Sequence, residues 1–351
     1  MIPKRLRLGI YPYAFARISV MRTRLIDKDE YHKLLKLEPH SLVRYLEDTD
    51  YKQDLIAVSG KDAAQVSIPP VDMIEDATWA NTARTFEKLM RITTDEPHII
   101  LRAYARRWDF ANLLTVLRAR QANLPKEELT GLLMPIGSEE PAFYIGLYDL
   151  PPRELLMGSG LLEPGQVDAI AKLLMDNNHA SMETALNRIY YDQLLELTRA
   201  LPRKNPLTEF LLTEIDVYNI KTLLRLVKHQ FSLEEIASHL LPEGLHLKGK
   251  LVTLAQARSL DQVKRALAGT PYQKLLTNME DSLMESELNL ERYHLARSFV
   301  ANREDPLTVL FIMGYMLEKE MEGRNLRTIA KARQAGIEPE YIEEKLLVVE
   351  R

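Results

Sequence analysis

Cysteine is absent from the 351 residues of this chain. Disulfide bonds, thiolate nucleophiles and thiolate metal sites are therefore excluded, which fits a reducing compartment. Long hydrophobic segments are missing too, because the longest stretch without a charged residue, 306–317, has only twelve residues. A helix needs about 20 mostly apolar residues to cross a bilayer. We therefore expect no membrane-spanning segment.

The chain also lacks a large excess of charge of either sign. Lys and Arg number 46 against 50 for Asp and Glu, which gives a net charge of -4. That balance provides no whole-molecule attraction to nucleic acid. Apolar residues make up 46% of the sequence and charged residues 27%, as in a water-soluble globular protein with an ample core.

Complete catalytic and cofactor-binding motifs are missing as well. The stretch 244–251 matches most of a phosphate-binding loop, but it ends in Leu251 where Ser or Thr must hold magnesium. The pair Gly158 and Gly160 is not followed by a glycine at the dinucleotide-binding spacing, and no histidine pair brackets a glutamate. We predict no catalytic residue, no cofactor and no metal site.

What the sequence does contain is helical periodicity over most of its length. Apolar residues recur at three- and four-residue spacing in segments such as 99–121, 208–230 and 307–335. Prolines fall mainly between such segments, where helices begin or end, and no sustained strand-like alternation occurs. The pattern predicts an all-α fold.

A polar motif recurs three times within these helical segments. An asparagine is followed three residues later by threonine, and the motif returns after 107 and then 106 residues. An acid precedes each asparagine by three residues, and a base follows it by six. The three acid, asparagine and threonine sets are Asp109, Asn112, Thr115; Asp216, Asn219, Thr222; and Glu322, Asn325, Thr328.

A second match supports the repeat. Residues 41–55 align without a gap on residues 262–276, and the alignment pairs Arg44 with Arg265 and Tyr51 with Tyr272. The segment 141–205 shows no recognisable counterpart. A unit of about 107 residues is longer than the two-helix repeats of solenoids, so each copy is expected to be a small helical domain. We place the copies at 1–137, 138–246 and 247–351, an arrangement that can close around a threefold axis.

Helical geometry gives the recurring polar residues a common setting. With 100° per residue, each asparagine lies inside a wide apolar arc, with the acid about 60° to one side and the threonine about 60° to the other. All three groups are expected to be buried and hydrogen-bonded. One interpretation is a structural network, with Asp109 and Asp216 possible helix N-caps. The other is a ring of polar groups around a cavity that receives a partner.

The N-terminal 24 residues carry six basic residues and no acid. They lack the apolar stretch and cleavage site of a secretory signal, although an Arg-rich transit peptide has a similar composition. One interpretation is that Arg17, Arg22 and Arg24 contact an anionic surface on the membrane side of a complex. The alternative is a solvated helix face.

Several segments resemble one known family. These are Tyr13 to Arg17 with Met21 and Leu25, the runs 29–35 and 46–51, and above all Glu214-Ile-Asp216-Val-Tyr-Asn219-Ile-Lys-Thr222. Together they look like the C subunit of the V-type and A-type ATPases, whose eukaryotic counterpart is the d subunit. The resemblance covers nearly the whole chain and is weakest at 141–200.

The resemblance implies an all-α protein of three homologous helical domains in a pseudo-threefold funnel. Such a protein is a non-catalytic rotor adaptor, peripheral at the cytoplasmic face of the membrane. It joins the D and F subunits of the central stalk to the proteolipid ring and transmits torque, without a cofactor. The alternatives are a helical nucleic-acid-associated protein that uses the basic N-terminus, disfavoured by the net charge, and an enzyme with a cleft between repeats, for which no nucleophile or metal set is found.

Overall fold

A computed structural model describes residues 11–60, 68–199, 206–242, 244–279, 282–304 and 307–348. The helices in chain order are α1 (Tyr11–Arg22), α2 (Lys28–Leu34), α3 (Pro39–Leu46), α4 (Lys52–Ser59), α5 (Pro70–Ile92), α6 (Asp95–Gln121), α7 (Lys126–Leu129), α8 (Pro141–Leu147), α9 (Pro152–Gly158), α10 (Pro164–Met175), α11 (His179–Thr198), α12 (Pro206–Lys228), α13 (Leu233–His239), α14 (Leu251–Ala255), α15 (Leu260–Ala266), α16 (Leu283–Glu304), α17 (Val309–Gln334) and α18 (Pro339–Glu343). A 3-10 helix covers Pro271–Leu275.

Every regular element in the described residues is helical, so the predicted all-α class is confirmed. Six helices, α5, α6, α11, α12, α16 and α17, are 20 to 27 residues long, and the others have at most 12. The three polar motifs lie in α6, α12 and α17, which we call the motif helices.

Helix starts follow the signals in the sequence. Proline occupies the first turn of α3, α5, α8, α9, α10 and α18, where its missing N–H removes no intrahelical hydrogen bond. The side chain of Asp27 accepts a hydrogen bond from the amide of Glu30, whose side chain in turn accepts one from the amide of Asp27. This capping box satisfies two N-terminal amides and fixes the start of α2.

The three motif helices end in the same way. A residue with positive φ follows each helix, and the amide after it donates to the carbonyl five residues back, as in a Schellman motif. The residues with positive φ are Asn123, Gln230 and Gly336. The hydrogen bonds are Leu124 to Ala119 at 2.9 Å, Phe231 to Leu226 at 3.1 Å and Ile337 to Ala332 at 3.0 Å. Each donor, Leu124, Phe231 or Ile337, lies twelve positions after the motif asparagine, so an apolar residue at this place in every copy is part of a helix stop.

The chain divides into two compact units. Among the described residues, the central unit comprises 102–294 and the terminal unit comprises 11–101 and 295–348. The division falls inside α6 and α16. It does not coincide with the predicted repeat boundaries after residues 137 and 246, so the division into three repeats remains a proposal.

The terminal unit has one core built from both ends of the chain. Leu34, Leu42 and Leu46 from the N-terminal helices are fully buried together with Leu326 and Ile329 of α17. Burial of apolar surface contributes about 25 cal/mol per Å². Residues between 34 and 46 therefore stabilise the last motif helix, although 280 positions separate Leu46 from Leu326 in sequence.

The central unit has a comparable core around α12. Ile220 and Leu224 of that helix are fully buried. They share a cluster with Val263 of the short helix α15, with Leu267 directly after that helix, and with Leu290 of α16. In both units a long motif helix is thus covered by short helices and by another long helix.

Candidate functional site

The three motif asparagines are buried and make the same pair of hydrogen bonds. Each side-chain amide donates to a backbone carbonyl 22 residues further along the chain, and each side-chain oxygen accepts the amide of that same residue. The pairs are Asn112 with Met134 at 3.0 and 2.8 Å, Asn219 with Leu241 at 2.9 and 2.7 Å, and Asn325 with Leu347 at 3.0 and 2.9 Å.

We call this arrangement the asparagine clasp. After the helix stop and a short helix, the chain returns to the middle of the motif helix, and its backbone there has no helical or strand partner. The asparagine side chain offers one donor and one acceptor in the geometry of a peptide group, so it satisfies both backbone groups at once. The clasp therefore fixes the position of the returning segment.

The motif aspartates bind the segment that follows the clasp. Oδ1 of Asp109 accepts the amide of Ser138 at 2.8 Å and the hydroxyl of Tyr144 at 2.9 Å. Oδ2 of Asp216 accepts the amide of His246 at 2.8 Å and the hydroxyl of Tyr272 at 2.9 Å. Both aspartates lie in the middle of long helices, so the alternative that they are N-caps is wrong.

The third acid has equivalent partners, but they come from the other end of the chain. Glu322 accepts the amide of Ile26 at 2.6 Å and the hydroxyl of Tyr51 at 2.8 Å. It also binds the ammonium of Lys319 at 2.7 Å, and that lysine is only 2% exposed. The N-terminal segment thus gives α17 the contacts that α6 and α12 receive from the residues that follow them.

Glycines explain why two of the acids are aspartates. A Cβ at Gly137 would lie 2.3 Å from Oδ1 of Asp109, and one at Gly244 would lie 2.2 Å from Oδ1 of Asp216. Only glycine lets the backbone approach the short carboxylate this closely. At the third site the acid is the longer Glu322, which accepts the amide of Ile26.

The charge states of these groups follow from their burial. Burial raises the pKa of Asp216, an effect opposed by the hydrogen bonds from His246 and Tyr272. Burial, together with the neighbouring carboxylate, also raises the pKa values of Tyr272, Tyr144 and Tyr51. The tyrosines therefore remain protonated donors near neutral pH. Oδ2 of Asp109 is buried without a hydrogen-bond partner among the described residues, but every motif acid and asparagine bonds to the chain around it, which favours the structural interpretation of the motif.

The motif threonines lie at the edge of the buried arc and not inside it. Thr115, Thr222 and Thr328 are each half-buried, which differs from the expected burial. The hydroxyls of Thr115 and Thr328 donate to the carbonyls of Ala111 and Arg324, one helical turn back. Each threonine lies about 60° around the helix axis from its asparagine, and this places it at the boundary between the core and solvent.

The base that follows each asparagine forms an ion pair with another long helix. Arg118 of α6 binds Glu183 of α11, Arg225 of α12 binds Glu287 of α16 at 2.7 Å, and Lys331 of α17 binds Glu75 of α5 at 2.7 Å. The three acids, like Tyr144, are partners that the sequence analysis missed. Glu75, Glu183 and Glu287 are separated by 108 and 104 residues, close to the spacing of the motif, so this spacing was a signal that could have revealed them.

The three N-terminal arginines have different environments. The guanidinium of Arg22 pairs with Glu318 at 2.9 Å and lies 4.4 Å from the ring centroid of Phe311, and its side chain is only 20% exposed. That internal pairing leaves Arg22 unsuited to a contact outside the chain. Arg17 is exposed, and Arg24 is 61% exposed with Asp50 3.7 Å away. The other three basic residues, Lys4, Arg5 and Arg7, lie outside the described residues.

The glycine-rich stretch 244–251 is occupied by contacts within the protein. The Lys250 ammonium donates to the carbonyls of Ala266 and Ala268, at 3.2 and 2.8 Å. Over the described ranges, no group of three or more His, Asp and Glu residues is arranged to hold a metal ion. No described helix combines the length and apolarity that crossing a membrane requires.

Comparison with known proteins gives one consistent family. The chain is 25% identical over 342 residues to the C subunit of the A-type ATP synthase of Archaeoglobus fulgidus, which covers 97% of this chain and 96% of that protein. It is 29% identical to the proteins of the same name from Methanosarcina barkeri and Thermococcus kodakarensis, with 97% and 95% of this chain and 93% and 89% of those proteins covered.

The model of the ATP synthase (C/AC39) subunit family matches residues 14–345, nearly the whole chain. The resemblance seen in the sequence is thereby confirmed. The chain belongs to the ATP synthase (C/AC39) subunit family, whose members are structural, non-catalytic subunits of rotary ATPases.

Proposed function

We propose that this chain is a rotor adaptor of a V- or A-type ATPase. In this role it joins the D and F subunits of the central stalk to the proteolipid ring and transmits torque between ATP turnover and ion transport. The observation that carries the proposal is the match of residues 14–345 to the family, together with relatives named as the C subunit of the A-type ATP synthase. Torque transmission requires only a body that does not deform under load.

The three clasps support that mechanical role. In each copy two buried hydrogen bonds to the asparagine tie a long helix to its returning segment. At least two more to the acid tie the helix to the segment that follows or, for α17, to the N-terminal segment. Satisfied buried networks of this kind rigidify a core. Three equally stiff copies are what a pseudo-threefold funnel around a rotating shaft would need.

The contacts also suggest how the three domains are composed. The proposed boundaries at 1–137, 138–246 and 247–351 mark sequence copies. The acid of each motif helix, however, bonds to residues beyond its boundary, as Asp109 does to Tyr144 and Asp216 to Tyr272. We propose that each folded domain pairs a motif helix with the segment that follows it, and that α17 pairs with the N-terminal segment.

We place the protein peripherally, at the cytoplasmic face of the membrane. Arg17 and Arg24 on the exposed side of the N-terminal region can contribute about 1 kcal/mol each to attraction by an anionic surface. Charge reversal at both positions should loosen attachment to membranes most at low salt, where screening is weakest. Charge reversal at the exposed Arg153 in the central unit is the matched control. Equal loss of attachment for the two variants would refute the membrane-side placement.

A pull-down from native membranes tests the partner assignment. Tagged chain, reintroduced into cells that lack the native copy, should recover both the proteolipid and the central-stalk subunits. When the stalk is dissociated beforehand, the proteolipid should still be recovered. Recovery of stalk subunits with no proteolipid, or of neither, would contradict the adaptor proposal.

A further inference from the structure

Glu214 ties together three long helices of the central unit. It lies on α12, and its Oε1 accepts the hydroxyl of Tyr191 on α11 at 3.0 Å. Its Oε2 accepts the hydroxyl of Tyr104 on α6 at 3.1 Å. Burial and the carboxylate raise the pKa of Tyr191, so that hydroxyl keeps its proton. One carboxylate thus holds two neighbouring helices against α12.

A further hydrogen bond reinforces the contact between α6 and α11. The hydroxyl of Tyr190 donates to the backbone carbonyl of Tyr104 at 3.0 Å, and Tyr104 is fully buried. Glu214 lies outside the shared acid, asparagine and threonine set, and the equivalent position carries Arg107 on α6 and Glu320 on α17.

The fourth long helix of the unit brings a histidine to the same carboxylate. His294 of α16 stacks on Phe210 with ring centroids 4.6 Å apart, and its Nε2 lies 3.9 Å from Oε2 of Glu214. Its side chain is 12% exposed, and neither ring nitrogen has a hydrogen-bond partner among the described residues. In a neutral imidazole, that buried N–H without a partner costs free energy.

The charged groups around His294 come from three helices. Glu214 faces it from α12, Arg107 from α6 and Glu291 from its own helix α16, while Tyr191 of α11 bonds to the same carboxylate. Burial lowers the pKa of His294, and Arg107 acts in the same direction, whereas Glu214 and Glu291 oppose the shift. The folded protein therefore holds this histidine neutral near pH 7.

We propose that protonation of His294 draws Glu214 away from Tyr104 and so loosens α6 within the central unit. The imidazolium donates Nε2–H to Oε2, and closing the gap from 3.9 Å to an ion-paired hydrogen bond of about 2.8 Å requires a movement of about 1 Å. Oε2 is also the oxygen that accepts the Tyr104 hydroxyl. The same movement therefore weakens the hydrogen bond between Glu214 and α6.

Hydrogen exchange on the isolated full-length chain tests this device, independently of the proposed function. Amides of α6 around Tyr104 should exchange about tenfold faster at about pH 5.5 than at about pH 7.5, after correction for the intrinsic rate, since α6 then loses most of its charge-assisted hydrogen bond to Glu214. The His294→Gln variant should lose this acid response. His239→Gln is the matched control, because His239, 7% exposed, is already bonded to Thr184, and it should keep the response.

The charge on the carboxylate provides the second arm. Glu214→Gln keeps an acceptor for only one of the two tyrosines and removes the attraction for the imidazolium, so it should also abolish the acid response. His294→Phe preserves the stacking on Phe210 if the glutamine variant folds poorly. An acid response of α6 that persists in the His294 variants, or in Glu214→Gln, would overturn the proposal, as would a wild-type α6 that exchanges equally at both pH values.

The pH dependence of stability has a defined sign. The unfolded chain binds a proton at His294 with the ordinary pKa of about 6.5, and the folded chain binds it only at lower pH. The contribution of this residue to stability is therefore present above about pH 6.5 and falls as the pH drops through the lowered pKa. Urea melts of His294→Phe should show a shallower loss of stability in this range than wild type.

Discussion

Replacement of Asn219 by alanine is the sharpest test of the asparagine clasp. The side chain is 1% exposed, and it donates to the carbonyl of Leu241 and accepts its amide at 2.9 and 2.7 Å. Leu241 is itself 2% exposed, so water cannot easily replace either contact. The substitution leaves one buried donor and one buried acceptor without partners.

The expected cost follows from those two groups. An unsatisfied buried polar group costs roughly 1–3 kcal/mol, and relaxation of the returning segment recovers part of it. We expect Asn219→Ala to lower the free energy of unfolding by about 1–3 kcal/mol, and the same at Asn112 and Asn325. Asn219→Asp keeps the acceptor but places a carboxylate oxygen, in place of the N–H donor, opposite the carbonyl of Leu241. This variant should lower the free energy of unfolding by at least as much as Asn219→Ala.

Urea unfolding followed by circular dichroism measures the effect. The matched control is Thr115→Ala on α6, because its half-buried hydroxyl bonds only to the carbonyl of Ala111 in its own helix. We expect the control to stay within about 0.5 kcal/mol of wild type. If Asn219→Ala melts like the control while stalk binding is lost, the clasp is not structural and the asparagines act in partner recognition.

Three further outcomes follow from the structure. Gly244→Ala should destabilise the central unit by at least about 1 kcal/mol because the new Cβ would lie 2.2 Å from a buried carboxylate, whereas Gly249→Ala, with open space around it, should be silent in the same melts. Tyr51→Phe should lower the free energy of unfolding by about 1–3 kcal/mol, because the buried carboxylate of Glu322 loses a donor. Tyr45→Phe removes a hydrogen bond at a half-buried site and should lower it clearly less, so equal losses in the two variants would contradict this explanation. Calorimetry should detect no ATP binding, and micromolar, magnesium-dependent binding that Lys250→Ala abolishes would show that the glycine-rich stretch is a nucleotide site after all.

The helical class and the setting of the asparagines followed from spacing alone. A residue inside a wide apolar arc must be buried, and a buried amide must find partners, so the burial of Asn112, Asn219 and Asn325 was predictable. The alignment of Tyr51 with Tyr272 also has a physical meaning, since both hydroxyls bond to the acid of a motif helix.

The partners themselves could not be predicted, because they depend on the path of the chain. Periodicity does not indicate that the N-terminal segment packs against α17. The hydrogen bond from the amide of Ile26 and the ion pair of Arg22 with Glu318 therefore could not be predicted. In the first copy the tyrosine comes from Tyr144 in α8, within the segment where no repeat is recognisable. The same hydroxyl contact is therefore made from a different position in the sequence.

The role of Glu214 shows a related limit. Its residue type and its place in the most specific family-like segment were visible in the sequence. That its two oxygens face different helices, and that His294 lies next to one of them, depends on the packing of four long helices. A single sequence contains no signal for such a junction.

We propose that this chain couples rotation to ion movement and performs no chemistry. The most direct measurement follows ATP hydrolysis and ion transport together in membranes stripped of this protein and then refilled with it. We predict that stripped membranes hydrolyse ATP without moving ions, and that refilling restores transport. If transport stays tied to hydrolysis in the stripped membranes, or if hydrolysis disappears while the catalytic head remains intact, the account is contradicted.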